Sequence, residues 1–484
     1  MGKNARDEKE VIESGSAVKV GVYYFITHIL VSGLSFLSMP IFARLMDKEA
    51  YGYFSNFAAW ETILVPIVTL NLRATITKSK YKYDDKDTFL SSILAVSTFV
   101  TVFIWLLVEL NVNFFEPFFE MDIKYIRILL LNMIFSPAFQ FQQVQYRMYN
   151  KYKLFVFYSV FSSMLRVAVS VLLVNVLEDK LKGRIYGYIV PALLFYIIIY
   201  INIWRKGKKI DWGYIKWGVQ MAIPLIPSAL SSTLLTSSDQ IVITRYCGSG
   251  DTANYAVAYS VSSIAAVIWT SMNQAWAPWY YDHINAEKYD TVKEVSIKFQ
   301  YLYAAVIVGV MLVAPEIVQI MGGKDYREAI WVMPPVILAM VFQFYYAFYY
   351  NIEYFFEKTL LISAGTLLAA IVNIVLNLIF VPKWGYIAAG YTTLIGYIVM
   401  LLYHFFIVKY VLKKSYIYDN KRFFITVMGL ICLQIAVAFL YNYTLICAGL
   451  IVVYIVLLLA FAVRNKSYIT SLMGQKKGTG REND

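Results

Sequence analysis

Two ionisable side chains fall in the middle of long apolar stretches of this sequence: Glu61, inside Tyr51 to Leu72, and Arg166, inside Leu154 to Leu177. A charge at the centre of a membrane-spanning helix costs about 2.5–3.5 kcal/mol on insertion scales, so each needs a function or a partner. Two kinds of chemistry fit. Arg166 can attract an anionic substrate group while Glu61 takes a coupling proton or balances the arginine. Alternatively the two form a buried ion pair that only holds helices together.

Other polar groups in apolar surroundings widen the choice. His28 is a candidate proton carrier, since its unperturbed pKa is about 6.5, or a hydrogen-bonded packing residue. His404 lies near a helix end, where interfacial placement explains it. Ser228, Ser232, Thr236 and Asp239 recur at helical spacing on an arc of roughly 80°. That stripe must face water or protein, as a substrate-contacting surface or as helix glue. Pro137 interrupts the run that continues QFQQVQYR, where Gln142, Gln143 and Arg147 can satisfy a freed carbonyl or meet polar groups of a substrate. Gln343 is a similar candidate further on, while Asn373 and Asn377 suit bonds to neighbouring helices. Arg73 with Lys78, Lys80, Lys82 and Lys86 makes a basic strip; topology and anionic lipid explain most of it, and Arg73 can also receive an anion.

The elements that must position these residues are helices in a bilayer. The chain is 60% hydrophobic and 15% charged, against about 45–50% and about 25% in a soluble protein. Its apolar residues come in runs of about twenty, the length of a spanning helix. The runs are apolar all round, and the alternation of a β-barrel strand is missing. The expected class is therefore an all-α integral membrane protein with about fourteen transmembrane helices.

The spans are Val20 to Ile41, Tyr51 to Leu72, Phe89 to Leu110, Ile128 to Tyr146, Leu154 to Leu177 and Ile185 to Trp204, then Trp217 to Thr244, Ala253 to Tyr280, Phe299 to Met321, Ala329 to Phe356, Leu360 to Val381, Tyr386 to Val408, and a final pair, Phe423 to Leu440 and Thr444 to Val463. This divides the chain into a tail (1–19), a six-helix lobe (20–204), a basic linker (205–216), a second six-helix lobe (217–408), a terminal pair (409–463) and a tail (464–484). No small-residue cleavage pattern closes the first span, which reads as a retained helix.

The formal charge of +12 raises the question of nucleic acid, but the basic residues sit in short loops where topology accounts for them. The N-terminus, the even-numbered loops and the C-terminus hold 31 of the 43 basic residues, which places both termini in the cytoplasm. Cys247, Cys432 and Cys447 are too few and too scattered for a disulfide framework or a zinc site, and no cofactor is implied. The first turns of the two sixes, FARLMDKEAYGYFS from Phe42 and ITRYCGSGDTANYAVAYS from Ile243, share an arginine closing a helix, a polar turn and a Tyr-rich restart. Tandem repeats of this kind build two lobes around a midplane cavity.

Four stretches carry a family resemblance: PIFARLMDKEAYGYFSNF from Pro40, IPLIPSALSSTLLTSSDQIVITRY from Ile223, NQAWAPWYYDHI from Asn273 and IVNIVLNLIFVPKWGYIAAGYTTLIGY from Ile371. They resemble the Wzx-type polysaccharide flippases of the multidrug/oligosaccharidyl-lipid/polysaccharide exporter superfamily. Met46 departs from the glycine that many members carry there. The resemblance implies a V of two six-helix lobes that works by alternating access. It also implies a substrate, an undecaprenyl-diphosphate-linked oligosaccharide of a capsule, O-antigen or exopolysaccharide, carried from the cytoplasmic to the outer leaflet. The expected setting is the cell membrane, with membrane lipids, a polysaccharide polymerase and export proteins as partners and a proton or sodium gradient for coupling. On this reading Arg166 would meet the diphosphate.

The same architecture serves peptidoglycan-precursor flippases and multidrug exporters, which stand as alternatives. An enzyme, either a membrane glycosyltransferase or a polymerase, is the rival from another class, because Asp85 and Asp87 match a DxD pattern that can hold a nucleotide-sugar metal. No folded polar domain surrounds that pair.

Overall fold

Aspartates start many of the helices. Asp47, Asp85, Asp179, Asp211 and Asp419 each accept a bond from a backbone N–H in the first turn that follows, which satisfies donors that a helix start otherwise leaves open. The computed structural model describes residues 30–149 and 151–464 together with Tyr23, Ile26 and Thr27. His28 and both expected tails up to residue 22 and from residue 465 lie outside the described residues.

The helices are α1 Leu30–Leu45, α2 Lys48–Val68, α3 Lys86–Leu110, α4 Ile123–Met148, α5 Tyr152–Val176, α6 Lys180–Gly207, α7 Trp212–Cys247, α8 Ser249–Asn285, α9 Tyr289–Gly322, α10 Met333–Phe355, α11 Thr359–Trp384, α12 Ile387–Phe406, α13 Asn420–Leu440 and α14 Thr444–Arg464. Among the described residues there is no strand. Among the described residues ten helices are long and apolar enough to cross a membrane, eleven when α2 is counted with the bent segment after it. The expected count of fourteen is not reached by that measure. The reason in α4 is composition, since Lys124, Arg127, Arg147 and four glutamines dilute it; the apolar stretch of α14, Leu445–Ala460, is short, and α1 is described continuously only from Leu30.

Several boundaries differ from expectation. The second span does not run to Leu72: α2 stops at Val68, Leu70 and Asn71 take positive φ, and the chain turns 63° into the segment 72–79. Proline at position 66, with no N–H to bond, precedes the break. The α7 helix contains a 3₁₀ turn at Ile223–Leu225, where Pro224 and Pro227 cluster. The loop expected over 111–127 contains a helix, Val112–Phe119, anchored by Asn56 and Trp60 side chains that donate to the Phe119 carbonyl at 2.9 and 3.0 Å. Most consequential, α6 begins at Lys180, so Arg184 is a helix residue and not the loop residue it was counted as.

Two apolar cores lie in the first lobe, one around Phe57, Trp60, Ile126 and Leu129, the other around Leu72, Phe89, Ile93 and Phe141 and closed by Ala222 of α7. A third, much larger core unites the second six with α13, through residues such as Trp276, Tyr303, Phe344 and Phe348. The two lobes join where α2 packs on α7 and α8. There, Gly52 lies directly against the backbone of Ser249 and Ala253, Arg44 donates to the Ile320 carbonyl at 2.5 Å, and the Lys48 ammonium sits 5.1 Å from the Tyr326 ring. At the opposite, basic end a cleft of about 700 Å³ separates Lys78 of the first lobe from Tyr281, Tyr354, Glu357 and Thr359 of the second. The molecule is closed at one end and cleft at the other.

Candidate functional site

Glu61 on α2 is held by two neutral donors. The Asn132 amide of α4 donates to Oε1 at 2.8 Å and the Tyr188 hydroxyl of α6 donates to Oε2 at 2.9 Å. Arg166 on α5 lies over the Tyr188 ring, 4.6 Å from its centroid. One turn before Tyr188, the Arg184 guanidinium is clasped by aromatic rings, 3.6 Å from Phe42 and 4.1 Å from Phe54, and its Nε is buried with no hydrogen bond. Among the described residues no carboxylate lies within 4.0 Å of either arginine. The direct ion pair weighed for Glu61 and Arg166 is therefore absent. Tyr188 stands between them because it shares one face of α6 with Arg184 four residues earlier.

The chemical consequence is a positive site. Both carboxylate oxygens are engaged by neutral donors, so two guanidinium groups keep their charge without contact compensation, and planar guanidinium groups bind phosphate oxygens in pairs. All four central side chains, Glu61, Arg166, Arg184 and Tyr188, are only half-buried. Arg184, Tyr188 and Asn132 were missed in the sequence. The helix-start signal at Asp179 was the clue that could have placed Arg184 within α6.

The second lobe holds a different arrangement. Asp239 on α7 is fully buried, and its Oδ1 accepts from Asn377 at 2.5 Å and Asn373 at 3.3 Å, both on α11. Its Oδ2 accepts from Thr393 of α12 at 2.5 Å and from the Tyr255 hydroxyl of α8. Thr392 donates onward to Asn377 Oδ1 at 2.5 Å. Asp239 therefore does not share an open face with the stripe assigned to it: Ser232 is exposed and Ser228 half-buried, while Thr236 bonds back to the Ser232 carbonyl. Four helix-borne donors enclose the acid because its position on α7 turns toward α11 and α12. Amide N–H and hydroxyl O–H donors thus surround both carboxylate oxygens, an arrangement that stabilises a negative charge away from water.

This knot carries a stability prediction. Asp239→Ala would leave its buried donors without their acceptor, a loss on the order of 3–5 kcal/mol for a broken buried charged network. Purified Asp239→Ala is expected to melt well below wild type in detergent, and Asp239→Asn closer to it. An unchanged melting temperature for the alanine variant would show the knot to be incidental.

The remaining candidates are dispersed. Gln142 donates to Gln145 at 2.6 Å, Gln143 accepts from Ser159 of α5 at 3.3 Å, and Arg147 is exposed with its guanidinium 5.9 Å from the Phe155 ring. Arg73 is exposed on the bent segment. Gln343 donates to the Tyr397 hydroxyl at 3.4 Å, its Oε1 buried and unbonded. His404 is not interfacial: its Nδ1 lies 2.8 Å from Glu353 Oε1, both side chains fully buried, tying α10 to α12. Asp85 is committed to capping α3, and bonds from Thr88 hold its carboxyl below the usual carboxylate range. Among the described residues no group of three or more His, Cys, Asp or Glu side chains could hold a metal ion.

Two helical lobes joined at one end, parted at the other and carrying charges within their apolar helices form a transporter-like fold. Residues 17–283 match the family described as polysaccharide biosynthesis protein, more than half of the chain, and the chain belongs to that family. No curated protein is matched. Among solved structures it is similar to the lipid II flippase MurJ in an inward closed conformation, with TM-score 0.68 and 15% identity over 93% of this chain and 100% of that one. It is also similar to an inward-facing multidrug resistance MATE family transporter of the MOP superfamily, with TM-score 0.59 and 13% identity over 86% and 99%. A third likeness is to a MOP superfamily transporter from Pyrococcus furiosus, with TM-score 0.51 and 16% identity over 87% and 96%. These likenesses establish the fold. The relatives are transporters and flippases, not enzymes.

Proposed function

We propose that the chain is a flippase for an undecaprenyl-diphosphate-linked oligosaccharide, moving it from the cytoplasmic to the outer leaflet for capsule, O-antigen or exopolysaccharide export. The observation that carries this reading is the uncompensated pair Arg166 and Arg184, a match for a diphosphate, in a chain of the polysaccharide biosynthesis family. The basic end faces the cytoplasm, consistent with 31 of 43 basic residues falling on that side in the sequence-based spans. The cleft at that end would admit the head group from the inner leaflet. A peptidoglycan precursor carries the same diphosphate, and the likeness to a lipid II flippase makes it the second reading. For coupling, Asp239 would bind the proton or sodium ion in the second lobe, with Glu61 the alternative in the first.

Deleting the gene is the test. Lipid-linked oligosaccharide is expected to accumulate on the inner leaflet while surface polymer disappears and growth continues. Loss of viability with accumulated peptidoglycan precursor would favour the second reading. Failure to assemble any lipid-linked repeat would sink both and return a glycosyltransferase to consideration.

A further inference from the structure

A polar cavity of about 180 Å³ opens at the basic end of the first lobe, between the ends of α3, α4 and α6, and shares no lining residue with the cleft between the lobes. Lys86, Lys151 and Lys206 line it together with a single acid, Asp87, and its wall includes Gln142 and Gln145. Both glutamines are more than nine-tenths buried, at 6% and 9% exposure. Among the described residues none of the three lysines has a carboxylate within 4.0 Å. The Gln142 amide donates to Gln145 Oε1, and the Gln145 amide has no acceptor among the described residues. Lys86 is held at the rim by the Tyr149 ring, 4.5 Å from its centroid, with Lys80 over the same ring at 5.3 Å.

We propose that this cavity is a phosphate-binding site of the first lobe, distinct from the transport path. Three ammonium groups and a buried amide donor converge on a space equal to about six waters of liquid volume, at about 30 Å³ each. That suits a phosphate with its ester substituent better than a lone water. Basic residues at a cytoplasmic helix end follow from topology alone; the cavity and the buried glutamine amide do not. The phosphate can belong to the head group of an anionic phospholipid in the adjacent leaflet or to a soluble diphosphate.

The test uses the full-length protein. Lipid retention is read by native mass spectrometry after transfer from phosphatidylcholine nanodiscs containing phosphatidylglycerol, and soluble binding by the thermal shift on adding pyrophosphate. Retention of phosphatidylglycerol identifies the lipid source, and stabilisation by pyrophosphate the soluble one. The triple variant Lys86→Gln, Lys151→Gln, Lys206→Gln is expected to lower the positive readout at least about tenfold, at about 1 kcal/mol per charge. Gln145→Leu, which changes no charge, is expected to weaken it several-fold while eluting as a folded protein. A charge-matched control between α12 and α13, Lys409→Gln, Lys413→Gln, Lys414→Gln, should leave it unchanged. The proposal is overturned if neither probe binds, if the control loses as much as the test triple, or if a folded Gln145→Leu binds as wild type does.

Discussion

Gly52→Ala is expected to abolish surface polymer while the protein remains folded and abundant in the membrane. A Cβ at this position would lie 1.7 Å from the Ser249 carbonyl oxygen, 2.6 Å from its carbon and 2.9 Å from the Ala253 nitrogen. All three are backbone atoms, so no side chain can swing aside. The contact lies between the lobes, α2 against α8, and relief therefore comes from parting them. Parting also loosens Arg44 from the Ile320 carbonyl and Lys48 from the Tyr326 ring, which close the same end. Moving a two-state equilibrium from one extreme to the other takes about 5.5 kcal/mol, and a backbone overlap of this depth is on that scale. Without a state closed at this end, alternation stops. Export, membrane abundance and thiol labelling of a Met46→Cys reporter, buried at this end in the closed state, measured in the same cells, check it. The reporter should label faster in the Gly52→Ala background. Normal export from that variant would mean that this end never closes as tightly during transport.

Arg166→Ala is expected to stop transport with comparable severity and, again, without lowering the amount of protein. Arg166 packs on a ring and not on a carboxylate, and Glu61 keeps its direct donors Asn132 and Tyr188 when the arginine is removed, so the loss falls on anion binding. Arg166→Lys keeps the charge but not the planar fork, and partial activity follows. Glu61→Gln separates the two roles weighed for this pair. In a structural ion pair it would strand a buried arginine at about 3–5 kcal/mol, whereas here Asn132 and Tyr188 are the direct partners. The Glu61→Gln protein is therefore expected at normal abundance, its export losing dependence on the gradient if Glu61 is the coupling acid. Arg166→Ala that exports at the wild-type rate would move the diphosphate site to Arg184 or to the α7 stripe.

Membrane class and helix order were legible because they rest on one-dimensional quantities: runs of about twenty apolar residues and basic loops between them. Glu61 and Arg166 stood out for the same reason, since an ionisable residue in an apolar run is conspicuous without coordinates. Helix ends were less legible. Arg184 was lost to a loop because its position, near the start of α6, depends on a cap and on the rings of Phe42 and Phe54, which are 142 and 130 residues away along the chain. A residue's neighbours on other helices leave no trace in local hydropathy. Periodicity gave Asp239 a place on an arc with Ser228 and Ser232, but it could not say which edge of that arc α8, α11 and α12 would cover. That choice follows from packing, which buries the acid among Tyr255, Asn373, Asn377 and Thr393 while leaving Ser232 exposed. The same holds for His404, whose place near a helix end suggests an interface in the sequence, while in the fold its side chain is buried against Glu353. The sequence alone thus determines which segments enter the bilayer and which charges enter with them, because transfer free energy adds up along the chain. Which of those charges meet each other, which face an opening and which are sealed depends on contacts between distant helices, and only the folded arrangement settles it.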